Sequence, residues 1–257
     1  MNQKSLNQGR LLRIVALGCA VLASAACVNP LCANPSRSPE KPIMKEQPLT
    51  PEQLAIAPIA ANAAIGDMPR LRDALNRGLD AGLSISETKE ILVQLYAYAG
   101  FPRSLNALSL LMKVLQERAA RGIEDVPGRE PGPVPSGYAL TELGTDNQTR
   151  LVGAPVSGPL FEFAPAIDQF LKVHLFGDIF ARDNLAWTDR ELATVGALAA
   201  MAGVESQLES HLKISLNVGL TIEQLRRMAQ ELEARGDLQA AERVGAEIGR
   251  ASCRERV

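Results

Sequence analysis

Apolar residues return every three or four positions along most of this chain, the period of helices with one buried face. Leu192, Val195, Leu198, Ala199 and Ala202 keep that spacing, and Leu208, Leu212, Ile214, Leu216 and Val218 continue it after Gly203, which predicts two helices joined by a short turn. Thr188-x-x-Glu191 has the form of a capping box opening the first. Thr221-x-x-Gln224 opens a third helix, with Gly219 as C-cap of the one before and Leu220 and Leu225 as a hydrophobic staple. Upstream, Thr50-Pro51-Glu52-Gln53 combines an N-cap threonine, a proline at the first helical position and the glutamine that completes the box. Pro58 is expected to kink or interrupt the helix that follows. Leu71, Leu75 and Leu79 mark the next helix, Gly82 ends it and Ser84-x-x-Glu87 caps its successor, after which residues 105–121 form another. Residues 161–176 predict one more helix, with Phe163, Ile167, Phe170, Leu171 and Leu175 as its buried stripe. The fold class is all-α.

These signals recur. Gly66 matches Gly203, Leu71 matches Leu208, Leu75 matches Leu212, Leu79 matches Leu216 and Gly82-Leu83-Ser84 matches Gly219-Leu220-Thr221, each pair 137 positions apart, as 219 is from 82. One offset held through two turns and two caps predicts two copies of a single helical unit, packed by pseudo-symmetry. The copies occupy residues 49–123 and 160–247. Between them, residues 124–159 are rich in proline and glycine and too long for an ordinary connection, which leaves them as an interdomain linker or as a lid over a site.

Both ends depart from the helical pattern. Residues 1–26 join a basic start (Lys4, Arg10, Arg13) to an apolar run too short to span a bilayer comfortably, the form of a bacterial export signal. Ala23-Ser24-Ala25 suits the general signal peptidase, whereas Ser24-Ala25-Ala26-Cys27 is an imperfect lipobox that would leave Cys27 lipidated. Both outcomes place the mature chain in the periplasm, free or anchored by lipid. Residues 27–48 read as a polar, proline-rich tether. The last ten, 248–257 (IGRASCRERV), resemble the in-frame translation of a sequencing adapter and are expected to stand outside the fold.

Composition narrows the chemistry. The 257 residues are 46% hydrophobic and 22% charged, ordinary for a globular protein, and a net charge of -2 gives no electrostatic case for nucleic acid. Cys19, Cys27, Cys32 and Cys253 all fall in the end segments, so the helical part contains no cysteine. The sequence has no spaced metal-ligand cluster, no phosphate-cradling glycine loop and no nucleophile elbow, and neither metal nor cofactor is expected. Of the two histidines, His174 is expected to make a structural hydrogen bond at a helix end. His211 lies on a helix face made polar by Glu209, Ser210 and Lys213, and an imidazole can exchange protons near neutral pH.

The order Arg190-Glu191-Leu192, an alanine-rich helix, Gly203, Gln207-Leu208-x-x-His211-Leu212 and Asn217-x-Gly219-Leu220-Thr221 resembles the carboxymuconolactone decarboxylase family, which shares its fold with the AhpD alkylhydroperoxidases. The FGDIFARDNL segment at 176–185 resembles the lead into that helix, and LVQLYAYAGFPRSLNAL at 92–108 resembles the family's closing half. The resemblance implies two AhpD-like units, a homo-oligomer, His211 as proton-transfer residue, Glu191 as its relay partner and a pocket between units near Tyr98. Glu191 has a second explanation as the third residue of a capping box. Arg103 and Arg182 are the cations suited to clamp a substrate carboxylate.

Three functions follow as expectations. The first is a cofactor-free lyase or isomerase acting on a small carboxylated lactone. The second is a peroxiredoxin-type antioxidant, which would need a Cys-x-x-Cys pair where Val204 and Gln207 stand. The third is an exported binding or assembly protein without catalysis.

Overall fold

The computed structural model describes residues 47–254, with side chains to residue 250, and these residues belong to one compact unit. The stretch read as an export signal, Cys27 and nearly all of the stretch read as a tether lie outside the described residues. Among the described residues there are helices and no strands, in the all-α class expected. In chain order they are α1 Pro51–Ile65, α2 Met68–Ala81, α3 Ile85–Gln94, α4 Tyr96–Ala120, α5 Tyr138–Val152, α6 Pro159–Phe163 and α7 Pro165–Gln169. There follow a π-helix at Phe170–Ile179, then α8 Trp187–Ala200, α9 Glu205–Asn217, α10 Ile222–Ala234 and α11 Leu238–Arg254.

Two helices form the centre. Every residue of α1 from Ile56 to Ala64 is buried, as is every residue of α8 from Arg190 to Ala199. A helix apolar on all sides belongs in a core. Their small residues let them approach closely: a Cβ on Gly196 would lie 2.7 Å from the Ala57 carbonyl oxygen and 2.8 Å from its Cα. Around this pair the leucines of α2, α3, α4, α9 and α10, Leu71, Leu75 and Leu79 among them, complete one apolar cluster with Ala240, Val244 and Ile248 of α11. A smaller cluster of Leu151, Leu175, Phe176, Ile179, Phe180 and Ile214 joins α5, the π-helix and α9.

The capping boxes at Thr50, Ser84 and Thr221 form with both reciprocal hydrogen bonds. The helix starts also keep the sequence offset to within one residue. α1 corresponds to α8, α2 to α9 and α3 to α10, and the left-handed glycines pair likewise, Gly66 (φ 74) with Gly203 (φ 81) and Gly82 (φ 110) with Gly219 (φ 106).

Several sequence expectations are corrected. Pro58 does not interrupt α1; the helix continues, and the Asn62 side-chain amide donates to the Pro58 carbonyl at 2.8 Å. The Thr188-x-x-Glu191 box is not formed, because α8 starts at Trp187 with Ala186 as its uncapped N-terminus. The single helix expected at 161–176 is broken at Ala164 and passes into the π-helix at Phe170. Pro165 bars Ala164 from helical backbone (φ -129, ψ 72), so α6 stops there and α7 starts afresh. Its expected buried stripe is half exposed: Phe163 (88%), Ile167 and Phe170 face out, while Leu175 is buried.

Residues 124–159 are more than a connection. Val126 and Pro127 carbonyls accept from the Ile85 and Ser86 amides at 2.8 and 3.0 Å, Ser86 donates to the Arg129 carbonyl at 2.7 Å, and Asp183 pairs with Arg129 and the Gly132 amide. This strap crosses the start of α3, and α5 follows it to pack on the π-helix. At the other end, residues 248–254 do not stand outside the fold, since α11 runs through to Arg254 and Ile248 is buried in the main cluster.

Candidate active site

Glu191 sits in the first half of α8, fully buried, and one turn of chain later α9 returns alongside with His211 facing it. His211 Nδ1 lies 2.9 Å from Glu191 Oε2. A carboxylate at that distance holds the proton on Nδ1 and leaves Nε2 as the ring's basic atom. The polar face of Glu209, Ser210 and Lys213 is not where the ring points: His211 is 9% exposed and turned inward. With no capping box formed, Glu191 is freed from that explanation, and the histidine is its hydrogen-bond partner.

Tyr98 comes from the other half of the chain. Leu95 ends α3 and the chain turns into α4, whose path breaks at Gly100 (φ 80, ψ 160), a backbone shape open to glycine. This break follows the Tyr98 turn, which sets the ring edge-on to His211 with centroids 5.4 Å apart. Its hydroxyl is buried with no hydrogen-bond partner, and so is the second oxygen of Glu191, Oε1. Burial raises the Tyr98 phenol above its ordinary value, and the Glu191 charge adds to this against smaller lowering from Thr194 and Arg190. Tyr98 therefore stays a neutral hydroxyl, able to donate. The Thr194 hydroxyl donates to the Arg190 carbonyl at 2.9 Å and accepts from the Gln94 amide at 3.4 Å.

A charged network adjoins the cluster; it includes Arg182, but sequence reasoning gave no role to its Glu90, Gln94 and Arg190. Arg190, fully buried, donates to Glu90 at 2.9 Å, to Gln94 at 3.1 Å and to the Arg182 carbonyl at 2.7 Å, with Nε left unpartnered. Arg182 places its Nε against both Glu90 oxygens, at 2.8 and 3.0 Å, and the Asn184 amide adds a further contact at 3.3 Å. Burial alone would raise the Glu90 carboxyl, but the hydrogen bonds and charges of Arg182 and Arg190 together hold it below the ordinary carboxylate value. The available signal was spacing, since Glu90, Gln94 and Tyr98 fall four apart, and Arg190 precedes Glu191 at the start of the mostly apolar run 192–200.

The structure thus brings together His211, Glu191 and Tyr98, and holds the two proposed clamps elsewhere. Arg182 is occupied by Glu90. Arg103 is exposed, its guanidinium laid over Gly66 so closely that a Cβ there would collide with it, and no hydrogen bond or ion pair joins it to His211. His174 is inside the π-helix and not at a helix end; it is half exposed, with Nδ1 2.6 Å from Asp178 and its ring tilted against Tyr96. Among the described residues, no group of three or more His, Cys, Asp or Glu side chains is placed to hold a metal.

A buried glutamate on one helix, paired with a histidine on the next, is the feature that a comparison with known families can weigh. Residues 165–246 match the carboxymuconolactone decarboxylase family. The matched region takes in α7, the π-helix and α8 to α10, with the first half of α11, and so contains both Glu191 and His211. Tyr98 lies outside it. No curated protein matches the chain.

Proposed function

We propose that this protein is a carboxymuconolactone decarboxylase-like enzyme that moves protons on a small carboxylated lactone or related ring without a cofactor. The observation that carries this reading is the Glu191–His211 hydrogen bond beside the unpartnered hydroxyl of Tyr98. Decarboxylation breaks the bond from ring carbon to carboxylate, releases carbon dioxide and sends the electron pair toward a carbonyl, after which carbon takes up a proton. His211 Nε2 is the group to carry that proton, Glu191 orients the ring, and Tyr98 donates to the oxygen where charge develops. Helix starts that keep the offset of 137 to within one residue, the paired caps at Ser84 and Thr221 and the paired left-handed glycines support the reading of two tandem units, with the site built from the second unit's Glu191 and His211 and the first unit's Tyr98.

The test is a screen of carboxylated lactones with wild type, His211→Asn and Tyr98→Phe. Asparagine keeps a donor near the Nδ1 position, so Glu191 retains a partner and the fold is preserved, while turnover falls about a hundredfold or more. His211→Ala is a poorer choice, because it would leave buried Glu191 without its hydrogen bond, a cost of about 1 to 3 kcal/mol. Tyr98→Phe removes a hydroxyl with no partner, so stability should hold or rise by up to about 1 kcal/mol as turnover drops. Unchanged turnover in His211→Asn would overturn the proposal. An inactive wild type would favour the non-catalytic binding protein.

A further inference from the structure

A cavity lies at the positions that the sequence offset relates to the Glu191–His211 site. It has a volume of about 310 Å³ and is walled by α1 (Pro51, Leu54, Ala55, Pro58), α2 (Ala74, Arg77, Ala81) and α10 (Arg227, Glu231, Arg235). These helices correspond to α8, α9 and α3, the elements that carry Glu191, His211 and the Glu90–Gln94 face. At the offset of 137, Leu54 stands for Glu191, Ala74 for His211, Arg227 for Glu90, Glu231 for Gln94 and Arg235 for Tyr98. Alanine in place of the imidazole leaves the space open that His211 fills in its counterpart.

The chemistry has changed with the shape. Leu54, Ala55, Pro58 and Ala74 give an apolar floor, and three arginines face a single carboxylate. Glu231 pairs with Arg235 at 2.7 Å and meets Arg227 at 3.7 Å. Arg77, half buried, makes no hydrogen bond or ion pair among the described residues. The cavity therefore carries two positive charges beyond what Glu231 neutralises, one of them on a guanidinium whose donors are unengaged. A cavity of this size, apolar at its base with a few convergent polar groups, has the form of a small-molecule site.

We infer that this cavity is a binding site for a small organic carboxylate with an apolar body, its charge taken by Arg77 with Arg227 and its body set on the α1 floor. A guanidinium fork matches a carboxylate bidentately, and the apolar contact selects against inorganic anions. The site stands on its own lining, and the correspondence with the His211 site explains only why it is open.

The experiment titrates the full chain with benzoate, with benzamide as the neutral isostere and with inorganic phosphate, followed by calorimetry and by thermal shift at low salt. Benzoate should bind with a dissociation constant on the order of millimolar and raise the melting temperature, while benzamide and phosphate bind at least about tenfold more weakly. Arg77→Gln should weaken benzoate about tenfold or more, and Arg227→Gln serves as a second arm; both residues are partly exposed, so the fold is kept. His211→Asn should leave benzoate binding unchanged, which separates this site from the proposed active site. Equal binding of benzamide, indifference to both arginine variants, loss with His211→Asn, or no binding of benzoate at about 10 mM each overturns the inference.

Discussion

Glu90 is the residue on which the polar interior turns. Its two oxygens serve Arg182, Arg190 and Asn184, and Arg190 has no exposure to water, so removing the carboxylate would strand a buried cation. Breaking such a pair from one side costs about 3 to 5 kcal/mol, and Glu90→Gln should destabilise by that order at neutral pH. The pH dependence has a definite sign. A carboxyl held below its ordinary value in the fold contributes stability above that value, 4.5, and loses it as pH falls through the lower folded value. Asp189 and Asp237 run the other way: burial raises both, so their ionisation opposes folding near neutrality. The difference between wild type and Glu90→Gln isolates the one group. Denaturant titrations should show the gap widest near pH about 7 and shrinking toward pH about 3. A gap that stays constant over that range would mean the pairing does not set the carboxyl's affinity for protons.

At the scale of the element, packing and helix propensity give opposite forecasts for the same substitution. Alanine is preferred over glycine inside a helix by about 1 kcal/mol. At Gly245 on α11 an added Cβ meets nothing within 4 Å, and Gly245→Ala should stabilise by about 0.5 to 1 kcal/mol. At Gly196 the added Cβ would press on the Ala57 backbone of α1, and overpacking costs about 1 to 3 kcal/mol, so Gly196→Ala should destabilise. Urea midpoints that move in the same direction for both would contradict the close α1–α8 contact. The elements themselves were largely legible beforehand, because capping boxes and glycine stops are local: Thr50, Ser84 and Thr221 needed only their own neighbours. Thr188 looked the same in sequence and failed, as the chain entered α8 two residues earlier than the box required. The candidate site was half legible. Glu191 and His211 share a motif, and Tyr98 sits in a turn with its own signature. Glu90 and Arg190 lie 100 positions apart, and their pairing depends on how α3 meets α8, which no local pattern encodes. The phenylalanines of 161–170 misled for the converse reason, since an apolar stripe reports what could be buried and not whether a partner helix arrives.

For the whole molecule, the position of α1 matters most. It comes from the first half of the sequence, is enclosed on every side, and owes much of that enclosure to α8 and α10 from the second half. Neither half can therefore close a core alone. The two are mutually templating, and the peptide bond joining them at the exposed Ser136-Gly137 is mechanically dispensable once they have met. Fragments 47–136 and 137–250 expressed singly should each be unfolded or aggregated, lacking the cooperative melting of the intact chain. Expressed together they should co-purify as one species with a single thermal transition. Two separable transitions would mean the halves are autonomous, and the buried surface between α1 and α8 would then be a contact and not a shared interior.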